Sequence, residues 1–211
     1  MTLTAEDARR FQECLSGGGV AIFPADTVYG IGCDPGDEAA AERLYVLKNR
    51  PTARPAAVMF FSLAPALAAL PALGERELAA LTALLPGPVT VLLPNRAGRF
   101  PLACGARADT SDGPLTLGLR VPLLEGPLAA LRAVRTPVMQ SSANLSGAPD
   151  ARRLADVPAS LREGADLVLD GGELPGTAST VLDLRDYEER GEWRVVRAGP
   201  IGAHELARAL V

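Results

Sequence analysis

The sequence predicts an α/β domain built on one twisted mixed sheet. Three observations carry this. Short apolar runs of strand length alternate along 211 residues with segments of helical periodicity. Some neighbouring strand runs are joined by tight polar turns, as hairpins require, while others are separated by a helix. No repeat, low-complexity stretch or linker divides the chain, so residues 1–211 read as a single domain.

Taken in order, Thr4–Leu15 is the first helix, with Thr4 as N-cap, Asp7 three residues on and Gly17-Gly18-Gly19 as the stop. Val20–Phe23 is a strand ended by Pro24, and Val28–Cys33 follows after the turn at Asp26 and Thr27. Asp37–Leu47 is a helix with acid at its positive end and Pro51 beyond its last turn. Ala57–Phe61 is a buried strand, Ser62 caps a helix to Leu70, and Glu75–Leu85 is another helix. A Pro-Gly-Pro turn leads into the strand Val89–Leu93. Asn95–Pro114 has little apolar periodicity and reads as a mobile loop. Thr116–Val121 alternates, which puts Thr116, Gly118 and Arg120 on one face. Pro127–Val134 is a helix, residues 137–147 a strand and turn, and Leu154–Arg162 partly helical. Leu167–Leu169, Ser179–Leu184 and Trp193–Arg197 are strands, the last two hairpin-linked through a charged turn. Gly202–Leu210 is a closing helix.

Hydrophobic residues make up 48% of the chain and charged residues 22%, an ordinary globular balance. No apolar run reaches the roughly 18 residues of a membrane helix, and the N-terminus lacks the layout of a signal peptide. Cys14, Cys33 and Cys104 are irregularly spaced, as reduced thiols in a cytoplasm are. A net charge of −4 with no basic run argues against gripping a nucleic-acid duplex as the main task.

The chemistry available is that of cations and neutral donors. His204 is the only histidine and sits in the terminal helix, so a Ser-His-Asp triad or a histidine metal site is excluded in practice. No P-loop, dinucleotide fingerprint, HExxH, GxSxG or CxxC occurs. Of 21 basic side chains, all but Lys48 are arginine. Lys48, Arg50, Arg54, Arg120 and Arg197 stand at the ends or faces of elements, as do Thr27, Ser142, Asn144 and Ser179. Lysine supplies a point charge and arginine a bidentate fork, which suits phosphates and a carboxylate. The polar cluster Gln140–Ser146 follows an apolar strand; by itself it suits a turn and helix N-cap, and it also stands where open α/β sheets bind ligands.

With Lys48-Asn49-Arg50-Pro51 and Ser142-Ala143-Asn144 together, the chain resembles the YrdC family of threonylcarbamoyl-AMP synthases, which carries a KxR…SxN signature. FPADTVYGIG, PGPVTVLLP, TLGLRVP, SSANLSG, the DGG before STVLD, and VRAGPI recur in family order from about Gly18 to Ile201. The resemblance implies a twisted open sheet of parallel and antiparallel strands, flanked by helices, with a large concave cleft. It implies a nucleotidyltransferase that joins L-threonine, bicarbonate and ATP into threonylcarbamoyl-AMP and pyrophosphate. A tRNA threonylcarbamoyl transferase complex would take up the product. Mg2+ would arrive on the ATP phosphates, with no metal site on the protein. ATP is implied at Lys48, Arg50, Arg54, Thr116, Ser142, Asn144 and Arg197, with Lys48 and Arg50 catalytic. L-Threonine is implied at Thr27, Arg120 and Ser179. Ala25, Met59 and Gln140 depart from the family's usual residues.

Two rival readings follow from the same fold: an RNA-binding module with a basic concave surface, and a paralogue without synthase activity. The synthase reading requires Lys48 and Asn144, distant in the chain, to converge on one concave pocket.

Overall fold

The structure is a computed structural model and describes residues 1–105 and 115–210. Helix α1 (Ala5–Ser16) starts as its cap residues dictate. The Thr4 hydroxyl accepts from the Asp7 amide at 3.2 Å, and the Asp7 carboxylate accepts from the Thr4 amide at 2.9 Å. Its buried face carries Phe11, whose ring lies 4.9 Å from Phe23 and 5.7 Å from Phe61. That aromatic cluster ties α1 to the sheet.

Among the described residues nine strands form one sheet. They are β1 (Ala21–Pro24), β2 (Tyr29–Cys33), β3 (Ala57–Met59), β4 (Val89–Pro94), β5 (Thr116–Arg120), β6 (Val138–Ser142), β7 (Leu167–Val168), β8 (Thr180–Asp183) and β9 (Arg194–Arg197), in the order β7-β1-β2-β6-β3-β5-β4-β8-β9. Three pairings are parallel (β1 with β7, β3 with β5, β4 with β8) and the other five are antiparallel. The sheet is mixed and open, as expected. Its central strands are buried on both faces, and β9 at one edge is exposed throughout.

Helices α2 (Glu38–Leu47), α3 (Leu63–Ala68), α4 (Glu75–Leu84), α5 (Ala159–Gly164), α6 (Tyr187–Arg190) and α7 (Ala203–Ala209) complete the chain. Several boundaries differ from the sequence reading, each for a local reason. Ser62 stands at the N-cap of α3 but its side chain makes no capping bond, and α3 stops two residues before Leu70. The segment read as a helix from Pro127 is a 3-10 helix, Gly126–Ala133. Leu154–Arg162 is divided by Pro158 into a short 3-10 turn (Leu154–Asp156) and α5, because proline lacks the donor that would continue the first piece. The turn between β8 and β9 contains α6, a single turn closed by Gly191 in the left-handed conformation. Of the segment read as a mobile loop, Pro101–Cys104 is a 3-10 turn with Ala103 and Cys104 buried; residues 106–114 lie outside the described residues.

Candidate active site

The concave face of the sheet carries a cavity of about 320 Å³ whose floor comes from β2, β6, β3, β5, β4 and β8. Strand register decides which side chains reach it. On β5 the period of two sends Thr116, Gly118 and Arg120 into the cavity, and on β6 it sends Gln140 and Ser142. Small residues at Gly30, Ala57 and Gly118 keep the floor low.

At one end Arg120, 5% exposed, is held by two segments, the Asp26-Thr27 turn and Ser179. Its Nη1 donates to Ser179 Oγ at 3.0 Å; its Nη2 donates to Thr27 Oγ1 at 2.6 Å and to Asp26. Asp26 is fixed in turn by the Leu123 amide at 3.0 Å. Ser179 also shares a hydrogen bond with Thr90 at 2.8 Å. Of the three residues expected to take an amino acid, Arg120 therefore touches both of the others. The Nε of Arg120 is buried with no partner among the described residues. Asp26 was read only as half of a turn. Its place before Thr27, between two strands, was the available signal, but the partner 94 residues away was not visible.

Arg197 on β9 reaches over from the edge, with Nη2 donating to the Ser179 carbonyl at 2.8 Å; burial pulls its guanidinium below the usual range. Across the floor Arg50 donates to Ser141 Oγ at 3.2 Å and to the Pro55 carbonyl at 2.6 Å, and burial shifts it downward too. Its Nε is buried and unpartnered among the described residues. Asn49, at φ 48°, makes the tight turn that swings Arg50 off the end of α2 toward the cavity.

Lys48 and Asn144 converge on each other but not on the concave pocket that was expected: Nζ lies 3.3 Å from Asn144 Oδ1 and 2.6 Å from the Asn144 carbonyl, and also donates to the Ser142 carbonyl. Both are buried one layer behind Ser142, whose Oγ donates to Asn144 Oδ1 at 2.6 Å and which itself lines the floor. The physical reason is that the turn after β6 turns its carbonyls inward, and the ammonium is the group that satisfies them. Burial, with Arg50 close by, pulls Lys48 down to about 8. Thr116 lines the cavity, and its hydroxyl accepts from Arg185 at 3.4 Å. Arg54 is exposed outside the lining, with Nη1 3.4 Å from Ser146 Oγ.

Two negative features complete the site. Among the described residues no three His, Cys, Asp or Glu side chains gather to hold a metal; Asp26 at the floor is already paired with Arg120, and the Asp150 carboxylate lies within electrostatic reach of Lys48 and Arg197. His204 is exposed on α7, outside the lining. A second hollow of about 530 Å³ lies by Trp193, but there Asp183 is taken up by Arg185 and Arg194. Among the described residues no helix is long and apolar enough to cross a membrane.

Comparison with known proteins identifies the family and the fold. The model of the Sua5/YciO/YrdC family, described as telomere recombination, matches residues 13–199. The threonylcarbamoyl-AMP synthase of Chromohalobacter salexigens is 36% identical over 196 residues, 89% of this chain and 98% of that one. That of Stutzerimonas stutzeri is 36% identical over 174 residues, 81% of this chain and 89% of the relative. The solved structure of P. abyssi Sua5 complexed with L-threonine is 26% identical with a TM-score of 0.83; the match covers 99% of this chain and 58% of that longer one. E. coli YciO, at 23% identity and a TM-score of 0.74 over 96% of this chain and 94% of its own, shares the fold. The concave floor, its cations and these relatives lead to one assignment: the chain belongs to the Sua5/YciO/YrdC family.

Proposed function

We propose that this chain is an L-threonylcarbamoyladenylate synthase, a nucleotidyltransferase acting on L-threonine, bicarbonate-derived carbon dioxide and Mg-ATP. The observation that carries the reading is the Arg120 clamp, assembled from three segments of the chain at one end of a floor whose other end carries Arg50 and Ser142. Curated relatives of nearly the same length bear the name of this activity, and a structural relative is described with L-threonine bound.

In this reading Arg120, Thr27 and Ser179 take the carboxylate and hydroxyl of L-threonine. The amine bonds to the carbon of carbon dioxide and gives up a proton, leaving a carbamate. One carbamate oxygen then bonds the α-phosphorus of ATP while the bond to the β-phosphate oxygen breaks and pyrophosphate leaves. Arg50, Arg197, Thr116 and Ser142 neutralise and orient the phosphates, an effect worth about 3–4 kcal/mol for a preorganised donor. Lys48 meets a phosphate by exchanging one of its carbonyl partners for a phosphate oxygen, with Asn144 holding the turn and Arg54 serving the outer rim. Mg2+ would arrive with ATP and offset part of the phosphate charge. Charge and position replace acid–base side chains, which suits a floor without histidine. A tRNA-modifying transferase consumes the product, and the reaction belongs in the cytoplasm.

The test is pyrophosphate release from ATP. Release that requires both L-threonine and bicarbonate, with a product of the mass of threonylcarbamoyl-AMP, supports the reading. Equal release without threonine refutes it.

A further inference from the structure

One side chain on the cavity floor has no part in the scheme above. Gln140 lies mid-way along β6, 8% exposed, and lines the cavity. Its carboxamide makes no hydrogen bond to another described residue, whereas Arg120, Ser142, Thr90 and Ser179 on the same floor are all engaged. A leucine would fill the same space without leaving an amide to be satisfied.

Strand pairing fixes where this amide stands. Gln140 is opposite Gly32 on one side and Ala57 on the other; Ala57 is opposite Gly118, and Gly118 opposite Leu92. Among these five residues the carboxamide is the only hydrogen-bonding side chain. The next row toward one end holds Met59, Arg120 and Thr90. The next row toward the other end holds Ser142 opposite Gly30, with Thr116 two residues from Gly118 on β5. Rows on one face are about 6.5–7 Å apart. The amide thus stands between the carboxylate clamp and the phosphate contacts. Gly30 and Gly32 give it room: a Cβ on Gly30 would come within 3.5 Å of Gln140 Oε1, and one on Gly32 within 3.2 Å of Gln140 Cβ. The register cannot slip by one residue to hide it, because that would send Val138 and Met139 to the wrong faces.

Whatever joins the amino acid to the α-phosphate must cross this row. In the synthase reading, on which this inference rests, that is the carbamate. It presents one N–H donor and one carbonyl acceptor, side by side. A primary carboxamide presents the matching pair, Oε1 as acceptor and Nε2–H as donor. We propose that Gln140 binds the carbamate of the reacting L-threonine through this two-point hydrogen bond, and that it holds the carbamate oxygen toward the α-phosphate. Gln140 is then a determinant of bicarbonate use, separate from the residues that hold the amino acid's carboxylate.

The experiment compares the full-length wild type with Gln140→Leu and Gln140→Ala in two measurements. One is L-threonine binding without ATP or bicarbonate, by calorimetry. The other is pyrophosphate release as a function of bicarbonate. The expected result is a threonine Kd within about twofold of wild type in both variants, with kcat/KM for bicarbonate lowered by about 10- to 100-fold, the loss of one neutral and one charge-assisted hydrogen bond. Retained threonine binding also shows that the variants are folded. Unchanged bicarbonate dependence in a wild type that needs threonine and bicarbonate overturns the role of Gln140 and leaves the synthase reading standing. So does a loss of threonine affinity as large as the loss of turnover in both variants. A wild type that releases pyrophosphate without threonine overturns both.

Discussion

Replacing Arg120 by methionine tests whether the clamp is a structural ion pair as well as a ligand site. The two side chains are 6% and 7% exposed, so the Asp26–Arg120 pair is shielded from water. Removing the guanidinium leaves the Asp26 carboxylate with only the Leu123 amide, an uncompensated buried charge. Breaking a buried pair from one side costs about 3–5 kcal/mol. For a chain of this size each kcal/mol moves the melting temperature by roughly 2–4 °C, so Arg120→Met should melt about 6–20 °C lower. Replacing Asp26 by asparagine in the same protein removes the stranded charge. Arg120→Met with Asp26→Asn should therefore recover at least about 1.5 kcal/mol relative to the sum of the two single variants. Urea and thermal unfolding of all four proteins at neutral pH measure this. Threonine binding by calorimetry should stay absent in the stabilised double variant, because the bidentate donor is gone. A cost under about 1 kcal/mol for Arg120→Met, or strict additivity in the cycle, would refute the reasoning.

Other outcomes follow from the same structure. Lys48 loses its proton near pH 8 when folded but near 10.5 when unfolded, so between those values the unfolded chain holds the extra proton and stability rises with pH. The stability of wild type relative to Lys48→Met should rise by about 3 kcal/mol from pH 7.5 to 10.5, and a constant difference in urea midpoints would contradict it. Burial alone would raise the Asp183 carboxyl, but hydrogen bonds from Arg185 and Arg194 outweigh it and hold the group at about 2. Its contribution is present above pH 4 and is lost as pH falls toward 2. Wild type should thus lose on the order of 1 kcal/mol relative to Asp183→Asn, allowing for screening at the two exposed arginines; acid titrations of thermal stability would detect it. Gly32→Ala places a Cβ 2.4 Å from Val138 Cγ1 and 2.8 Å from the Met139 carbonyl, so it should destabilise the fold by roughly 1–3 kcal/mol, and an unchanged melting curve would count against the tight β2–β6 approach.

Much of this protein was written locally. The cap at Thr4, the acidic start of the helix at Asp37, alternation on Thr116–Arg120 and the apolar runs of β1, β2, β4 and β6 depend on neighbours within a few residues, so pattern alone located them. Thr27, Arg120 and Ser179 came forward as a set only through the resemblance to the YrdC family, which local pattern does not supply. What it missed was equally physical. The turn of α6 is a single helical turn, too short to show a period, and the 3-10 form of Gly126–Ala133 differs from an α-helix by geometry that composition does not encode.

The site itself was settled by strand pairing, since residues that share a row come from segments up to about a hundred positions apart. Sequence determined which side chains could bind anions, that no histidine chemistry was available, and that Thr116, Gly118 and Arg120 share one face of their strand. Tertiary structure alone decided that Asp26 completes the arginine clamp, that Lys48 lies behind Ser142 satisfying inward carbonyls, and that Gln140 stands alone in the middle row. The reason is that a side chain's direction follows from its own strand, whereas its partners follow from register between strands, which the chain specifies only when the whole sheet closes over its core.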